Sequence, residues 1–135
     1  MDEKKDDRAL TRQAILCARM MKKALDPVRS VRRTISLQLT FTFLQVAAEP
    51  GLTVTALAHR CGVGQTVMSR HLQDLGNINR RNKAGLGLVA VTQRVYGDRR
   101  ERYVVLTHRG AAVARQMIAA IRPRVTKSPP KTEGL

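Results

Sequence analysis

The amino-acid sequence predicts a mainly α-helical fold that carries one small β-hairpin, an α+β arrangement. Three observations lead to this prediction. Apolar residues recur at helical spacing through most of the 135-residue chain. Two short helical segments meet at a tight turn between Thr53 and Leu75. Val- and Tyr-rich segments on either side of Gly97 then predict two strands. The length is sufficient for one domain with its own core.

The N-terminal part of the chain predicts two long helices. The first runs from Arg8 to Leu25 and ends at Asp26-Pro27, because the residue before a proline disfavours the helical conformation. Its apolar seam has near-heptad spacing and consists of Leu10, Ala14, Cys17, Met21 and Ala24 or Leu25. A basic segment, residues 28–33, follows as a short helix or a link. The second helix runs from Ile35 to Ala48, and its apolar side comprises Leu37, Leu39, Phe41, Phe43, Leu44 and Ala48.

The segment from Thr53 to Leu75 predicts two short helices around a tight turn. The first helix runs from Val54 to Cys61, and Gly62 ends it. The second begins near Gly64 or Gln65, with a predicted buried face of Val67, Met68, Leu72 and Leu75. Its outer face carries side chains that suit the reading of base edges in a DNA major groove: Gln65, Thr66, Ser69, Arg70 and Gln73. The alternative is an ordinary helical hairpin with a solvated polar face.

The C-terminal part predicts a loop, a β-hairpin and a helix. Residues 76–87 are rich in Gly, Asn and Arg and form the loop. Strands from Leu88 to Val95 and from Arg102 to Leu106 are joined by a turn at residues 96–101. Thr107 caps a helix from His108 to Ile121. We therefore divide the chain into residues 1–34 (N-terminal helix and link), 35–107 (the central domain), 108–125 (C-terminal helix) and 126–135 (disordered tail).

The charge of the chain indicates its partners. Lys and Arg number 25 against 10 Asp and Glu, and the net charge of +15 favours nucleic acid or an anionic surface. No apolar run is long enough to span a bilayer, so we expect a cytoplasmic protein with no membrane partner. Two Tyr, two Phe and no Trp argue against a single-strand binder, which stacks bases on aromatic side chains.

The order helix, helix-turn-helix, hairpin, helix is that of a winged helix, and residues 35–121 resemble the MarR family of transcription regulators. Two motifs carry the resemblance. Asp98 and Arg100 match the D-x-R element of the family's wing. Leu106, Thr107 and Gly110 match the L-T-x-x-G that opens its next helix. The resemblance implies a winged helix-turn-helix with flanking dimerisation helices.

The resemblance also implies a function and its residues. A homodimer would bind a pseudo-palindromic operator, with the second hairpin helix in the major groove. The wing arginines Arg99, Arg100 and Arg102 would serve the minor groove, and Asp98 would orient Arg100, the favoured minor-groove residue. Apart from the resemblance, the excess of basic residues around the wing predicts contacts to the DNA backbone from Arg80, Arg81, Lys83 and Arg94. Such a protein would associate with the nucleoid.

The chain departs from the family in two places. The loop at residues 76–87 intervenes between the reading helix and the wing, and the C-terminal part is short. We interpret the loop as a phosphate clamp, with a solvated loop of incidental charge as the alternative. The short C-terminus puts the usual dimer geometry in doubt, and nothing in the sequence indicates a small-molecule effector.

Other classes of function are weakly supported. His59, His71 and His108 have no nucleophile or carboxylate at motif spacing, so we predict no enzyme, metal site or cofactor. Cys17 and Cys61 are expected to be reduced thiols. The leading interpretation is a sequence-specific double-stranded DNA-binding transcriptional regulator. The alternative is an architectural or protein-interaction role, in which nucleic acid is bound without sequence choice.

Overall fold

A computed structural model describes residues 8–77 and 84–122, and it confirms the mainly α fold with a β-hairpin. These ranges contain five helices and one two-stranded antiparallel sheet. The elements in chain order are α1 (Arg12–Val31), α2 (Leu37–Ala48), α3 (Val54–Cys61), α4 (Gln65–Leu75), β1 (Val89–Tyr96), β2 (Arg99–Leu106) and α5 (His108–Ile121).

Helix α1 differs from its prediction at both ends. It begins at Arg12 because the Thr11 hydroxyl accepts a hydrogen bond from the Ala14 amide (3.1 Å). It continues through Pro27 to Val31, so the predicted stop at Asp26-Pro27 is wrong. Proline removes one helical hydrogen bond. The continuation buries Val28, however, and α1 packs along α5, so tertiary packing outweighs the local preference.

Helix α2 has two apolar faces, one buried and one exposed. The sequence had predicted a single broad apolar side facing the core. Leu39, Phe43 and Val46 are buried in the core. The side predicted through Leu37, Phe41 and Leu44 faces outward instead, with Leu37 82% exposed. Spacing alone could not decide which side meets the core, because both sides repeat at helical period.

The helix-turn-helix has the predicted boundaries. Thr53 caps α3, and Gly62 ends it in the left-handed conformation (φ 70°). Met68, Leu72 and Leu75 of α4 are buried as predicted, but Val67 is 40% exposed and its predicted burial is wrong. The reason is that Val67 lies well to one side of the stripe formed by the other three residues.

The wing, residues 89–106, is longer and more tightly turned than predicted. The strands pair from Val89 opposite Leu106 to Tyr96 opposite Arg99. The predicted turn at residues 96–101 is therefore wrong, because Gly97 takes φ 58° and lets the chain reverse at Gly97-Asp98. The base of the wing also pairs with the start of the helix-turn-helix. The Gly51 amide donates to the Val104 carbonyl (3.2 Å), and the Val104 amide donates to the Leu52 carbonyl (2.9 Å).

The two ends of the loop predicted at residues 76–87 are hydrogen-bonded to each other. We call the two bonded segments, residues 74–77 and 84–88, the junction. Four successive amides, from Gly85 to Leu88, donate to the carbonyls of Asn77, Asp74, Gly76 and Leu75 at 2.7–2.9 Å. Residues 78–83 lie outside the described ranges, and so do the contacts predicted for Arg80, Arg81 and Lys83. The predicted tail also falls outside them.

The L-T-x-x-G motif explains how α5 is attached to this junction. The Thr107 hydroxyl donates to the Gly87 carbonyl (2.6 Å) and accepts from the Gly110 amide (2.9 Å), so it caps α5 and ties it to the chain before β1. The Thr107 amide donates to the Leu88 carbonyl (3.1 Å). Gly110 lies against the backbone of Leu88, where a side chain has no room.

Candidate nucleic-acid interface

The outer face of α4 carries the five residues predicted to read DNA. Gln65, Thr66, Arg70 and Gln73 are exposed, and Ser69 is half-buried. Gln65, Ser69 and Gln73 recur every four residues and therefore lie along one side of the helix. All five are available to a ligand that approaches α4 from outside.

Two adjoining recesses separate α4 from the wing. Gln65 and Ser69 line the first recess, opposite Gln93, Arg100 and Arg102 of the wing. Ser69 and Gln73 line the second, again with Arg102. Arg102 thus borders both recesses beside the middle of α4, whereas Arg100 borders only the first. Gln65, Ser69 and Gln73 of α4 therefore share one polar surface with Arg100 and Arg102 of the wing. The predicted residues Thr66, Arg70 and Arg99 border neither recess.

The strand register divides the wing arginines between two faces. Arg100 lies opposite Val95 and Arg102 opposite Gln93, so both belong to the face that meets the recesses, which we call the inner face. Arg94 and Arg99 alternate with them and belong to the other, outer face. Arg99 is therefore separated from the two arginines with which it was grouped, because successive strand residues point to opposite sides.

Arg94 makes defined contacts on the outer face. Its Cζ atom lies 4.0 Å from the centroid of the Tyr103 ring, and its Nη1 donates a hydrogen bond to the Tyr96 hydroxyl (3.1 Å). The hydrogen bond to Tyr96 and, second, the interaction with Tyr103 raise the pKa of the Arg94 guanidinium. The predicted role of Arg94 as a backbone contact took no account of these partners.

Contacts around α3 include residues that the sequence did not single out. The Gln65 side-chain amide donates to the Thr55 hydroxyl (2.8 Å), which fixes one end of a predicted reading residue. Arg60 donates to both carboxylate oxygens of Glu49 (2.9 and 3.3 Å), and Glu49 raises the pKa of Arg60. This exposed pair joins the ends of α2 and α3. No hydrogen bond or ion pair links Asp98 to Arg100 within the described part of the chain, so the orienting role of Asp98 stays a prediction.

His71 lies on the inward flank of α4. Its Nδ1 atom is buried and has no hydrogen-bond partner among the residues described. Burial lowers the pKa of His71 from its ordinary value of 6.5, and the nearby charge of Asp74 opposes that change only in part. The imidazole of the folded chain is therefore neutral at pH 7.

We expect the partly buried His71 to make the fold acid-sensitive. The unfolded chain binds the proton more tightly, so stability is fully present above about pH 6.5 and is lost as the pH falls from there through the lower, folded pKa. Urea unfolding at pH 7.5 and pH 5.5 should show a stability difference that shrinks in His71→Gln. His59→Gln, at an exposed site, is the control and should keep the full difference. An unchanged difference in His71→Gln would assign the acid sensitivity to other groups.

Across residues 8–77 and 84–122, no three His, Cys, Asp or Glu side chains lie close enough to hold a metal ion. None of the helices in those ranges combines the length and the apolar character needed to cross a bilayer.

Solved structures share the fold described above. The chain is similar to RV1404 from Mycobacterium tuberculosis, with a TM-score of 0.61, 19% identity and coverage of 89% of this chain and 77% of that chain. It is similar to wild-type MarR from E. coli, with a TM-score of 0.54, 14% identity and coverage of 86% and 80%. The PcaV transcriptional regulator from Streptomyces coelicolor gives a TM-score of 0.51, 22% identity and coverage of 82% and 76%.

Sequence comparisons give no match of this kind. No family profile matches the chain, and no curated protein sequence does. The structural neighbours nevertheless confirm the resemblance drawn from the wing and from the L-T-x-x-G motif, at the level of the fold. The chain has a MarR-like winged-helix fold.

Proposed function

We propose that this protein is a DNA-binding transcription regulator that acts as a homodimer on a pseudo-palindromic operator. One observation carries the proposal: the polar face of α4 and the arginines of the inner wing face border the same recesses. The net charge of +15 favours a polyanionic partner. PcaV, which shares the fold, is named as a transcriptional regulator. No catalytic role is proposed.

The proposed docking places α4 in the major groove. Gln and Arg can each make paired hydrogen bonds to one base edge, and Gln65, Arg70 and Gln73 are exposed for that purpose. Arg102 borders both recesses next to Ser69, so we assign it to the phosphates between the two grooves rather than to the minor groove. Arg100 lies farther along the wing and remains our minor-groove residue.

A second copy of the chain would cover apolar surface that a monomer leaves in water. Large apolar side chains are exposed just before α1, on α1 and on α5: Leu10, Ile15, Leu16, Met20, Met21, Leu25, Ile118 and Ile121. The outer side of α2 adds Leu37, Phe41 and Leu44. Exposed apolar surface on this scale is typical of an interface. A two-fold dimer would set two copies of α4 side by side for two operator half-sites.

Selection from random duplexes, followed by gel-shift titration, tests whether the protein chooses sequence. We expect Arg70→Ala to weaken binding to the preferred site by about 1–3 kcal/mol and to flatten the preference among sites, because Arg70 reads a base. Arg115→Ala, which removes the same charge from an exposed position on α5, is the control and should keep the preference. Equal weakening on all duplexes by Arg70→Ala would reassign it to phosphate. Failure of the wild-type protein to select any sequence would favour the architectural alternative.

A further inference from the structure

The distal half of the wing has no hydrophobic core. Residues 91–100 are all exposed, and the fully buried side chains of the hairpin, Val89 and Val104, lie at its base. A two-stranded hairpin alone is marginally stable in water. Beyond the backbone pairing of its strands, side-chain contacts on the wing surface are therefore needed to order the distal part.

The contacts of Arg94 meet this requirement. Arg94 stacks on Tyr103 of the opposite strand and donates to Tyr96, two residues farther along its own strand. Stacking of a guanidinium on an aromatic ring is attractive through the ring quadrupole. We call Arg94, Tyr96 and Tyr103 the outer cluster. The outer cluster links the two strands in the part of the wing that has no buried side chains.

Tyr103 connects the outer cluster to the body of the protein. Its backbone pairs with Thr92 on one side and with Thr53, the cap of α3, on the other. The neighbouring Val104 exchanges hydrogen bonds with Gly51 and Leu52. Tyr103 therefore lies on the strand that is fixed to the start of the helix-turn-helix, and Arg94 ties the outer part of β1 to that strand.

We propose that Arg94 is a positioning residue that holds the distal wing, through Tyr103 and Tyr96, so that Arg100 is presented on the inner face at a fixed place relative to α4. The proposal rests on the proposed DNA-binding function. It replaces the expectation that Arg94 contacts the DNA backbone, because Arg94 borders neither recess and its guanidinium is engaged by two tyrosines. Arg94 itself need not touch DNA.

Three variants separate positioning from phosphate contact. Arg94→Met removes the charge and the stacking, Tyr103→Leu removes the ring but keeps the arginine, and the third variant combines both. If Arg94 is a positioning residue, each single substitution lowers affinity for the selected duplex by about tenfold. The double variant then loses no more affinity than either single variant, because the two residues act through the same contact. The slope of log K against log salt stays at the wild-type value in all three.

A direct phosphate contact gives a different pattern. Arg94→Met would then lower the salt slope by roughly 1, and Tyr103→Leu would bind like the wild type. That result would overturn the proposal. If Arg94 is a positioning residue, we expect Arg94→Lys to keep more affinity than Arg94→Met. The ammonium group of Lys can still lie over the Tyr103 ring and donate to Tyr96.

A second measurement does not depend on DNA. Backbone ¹⁵N relaxation of free protein reports wing order through the amides of Gly97 and Arg100. We expect both amides to become more mobile in Arg94→Met and Tyr103→Leu, and to be unchanged in Arg99→Met, which removes a like charge from the same outer face. Unchanged relaxation in Arg94→Met would overturn the positioning role even if the protein binds DNA. Failure of the wild type to bind duplex DNA would instead count against the proposed function.

Discussion

Replacing Gly110 with Ala should destabilise the protein by about 3 kcal/mol, at the upper end of the usual cost of overpacking. A Cβ on Gly110 would overlap the carbonyl of Leu88 and lie 2.9 Å from its carbonyl carbon. The obstacle is backbone, so no side-chain rotation can relieve it. The Leu88 carbonyl also accepts a hydrogen bond from Thr107, and moving it would disturb the cap of α5. Urea unfolding followed by circular dichroism measures the loss.

Gly64→Ala is the matched control for this substitution. Gly64 precedes α4 at φ −75°, and a Cβ there meets nothing within 4 Å. We expect a smaller loss of about 1 kcal/mol or less, because Ala is a poorer N-cap residue than Gly but meets no steric obstacle at this position. Equal stability of Gly110→Ala and Gly64→Ala would show that α5 can shift away from Leu88, contrary to the close packing described here.

Met21→Glu should convert the proposed dimer into a monomer and weaken operator binding by about 100-fold or more. Met21 is 60% exposed in the single chain and lies among other exposed apolar residues of α1. Two carboxylates brought to a two-fold interface would be desolvated without partners. A monomer would also lose the gain from binding two half-sites together, which reaches 10²–10⁴ for linked modules. Sedimentation velocity at micromolar concentration measures the assembly, and gel shift measures the binding.

The control for charge is Arg19→Gln. It lowers the net charge by the same amount as Met21→Glu, and Arg19 is an exposed polar position on the same helix. We expect this variant to sediment as a dimer and to bind the operator nearly as well as the wild type. A wild-type protein that sediments as a monomer at these concentrations would contradict the dimer proposal, whatever Met21→Glu does.

The elements that could be predicted from the sequence are those whose signals are local. Helices α3 and α5 begin after Thr53 and Thr107, whose hydroxyls accept hydrogen bonds from amides three residues ahead. Gly62 ends α3 because a left-handed residue favours glycine there. These signals depend on a few neighbouring residues, so sequence alone was enough to place the ends of the two helices.

The errors concern features that depend on distant packing. Pro27 signals a helix end, but burial of Val28 against the core carries α1 past it. The burial of α2 could not be assigned, since both of its sides are apolar. The site shows the same limit. Residue types indicated which side chains could touch DNA, but only the strand register separates Arg94 and Arg99 from Arg100 and Arg102.

The junction has a consequence for finding relatives of this protein. Gly85 has no room for a side chain beside the Gly76 carbonyl, and Gly87 takes φ 70°. Thr107 bonds to Gly87 from twenty residues away, and Gly110 follows three residues later against Leu88. The two pairs of residues, Gly-x-Gly and Thr-x-x-Gly, are therefore held together by the Thr107 hydroxyl and by close backbone packing, whatever the sequence of the wing between them. A search that weights this spacing, and leaves the composition of residues 78–83 free, should retrieve distant homologues that whole-chain identity overlooks.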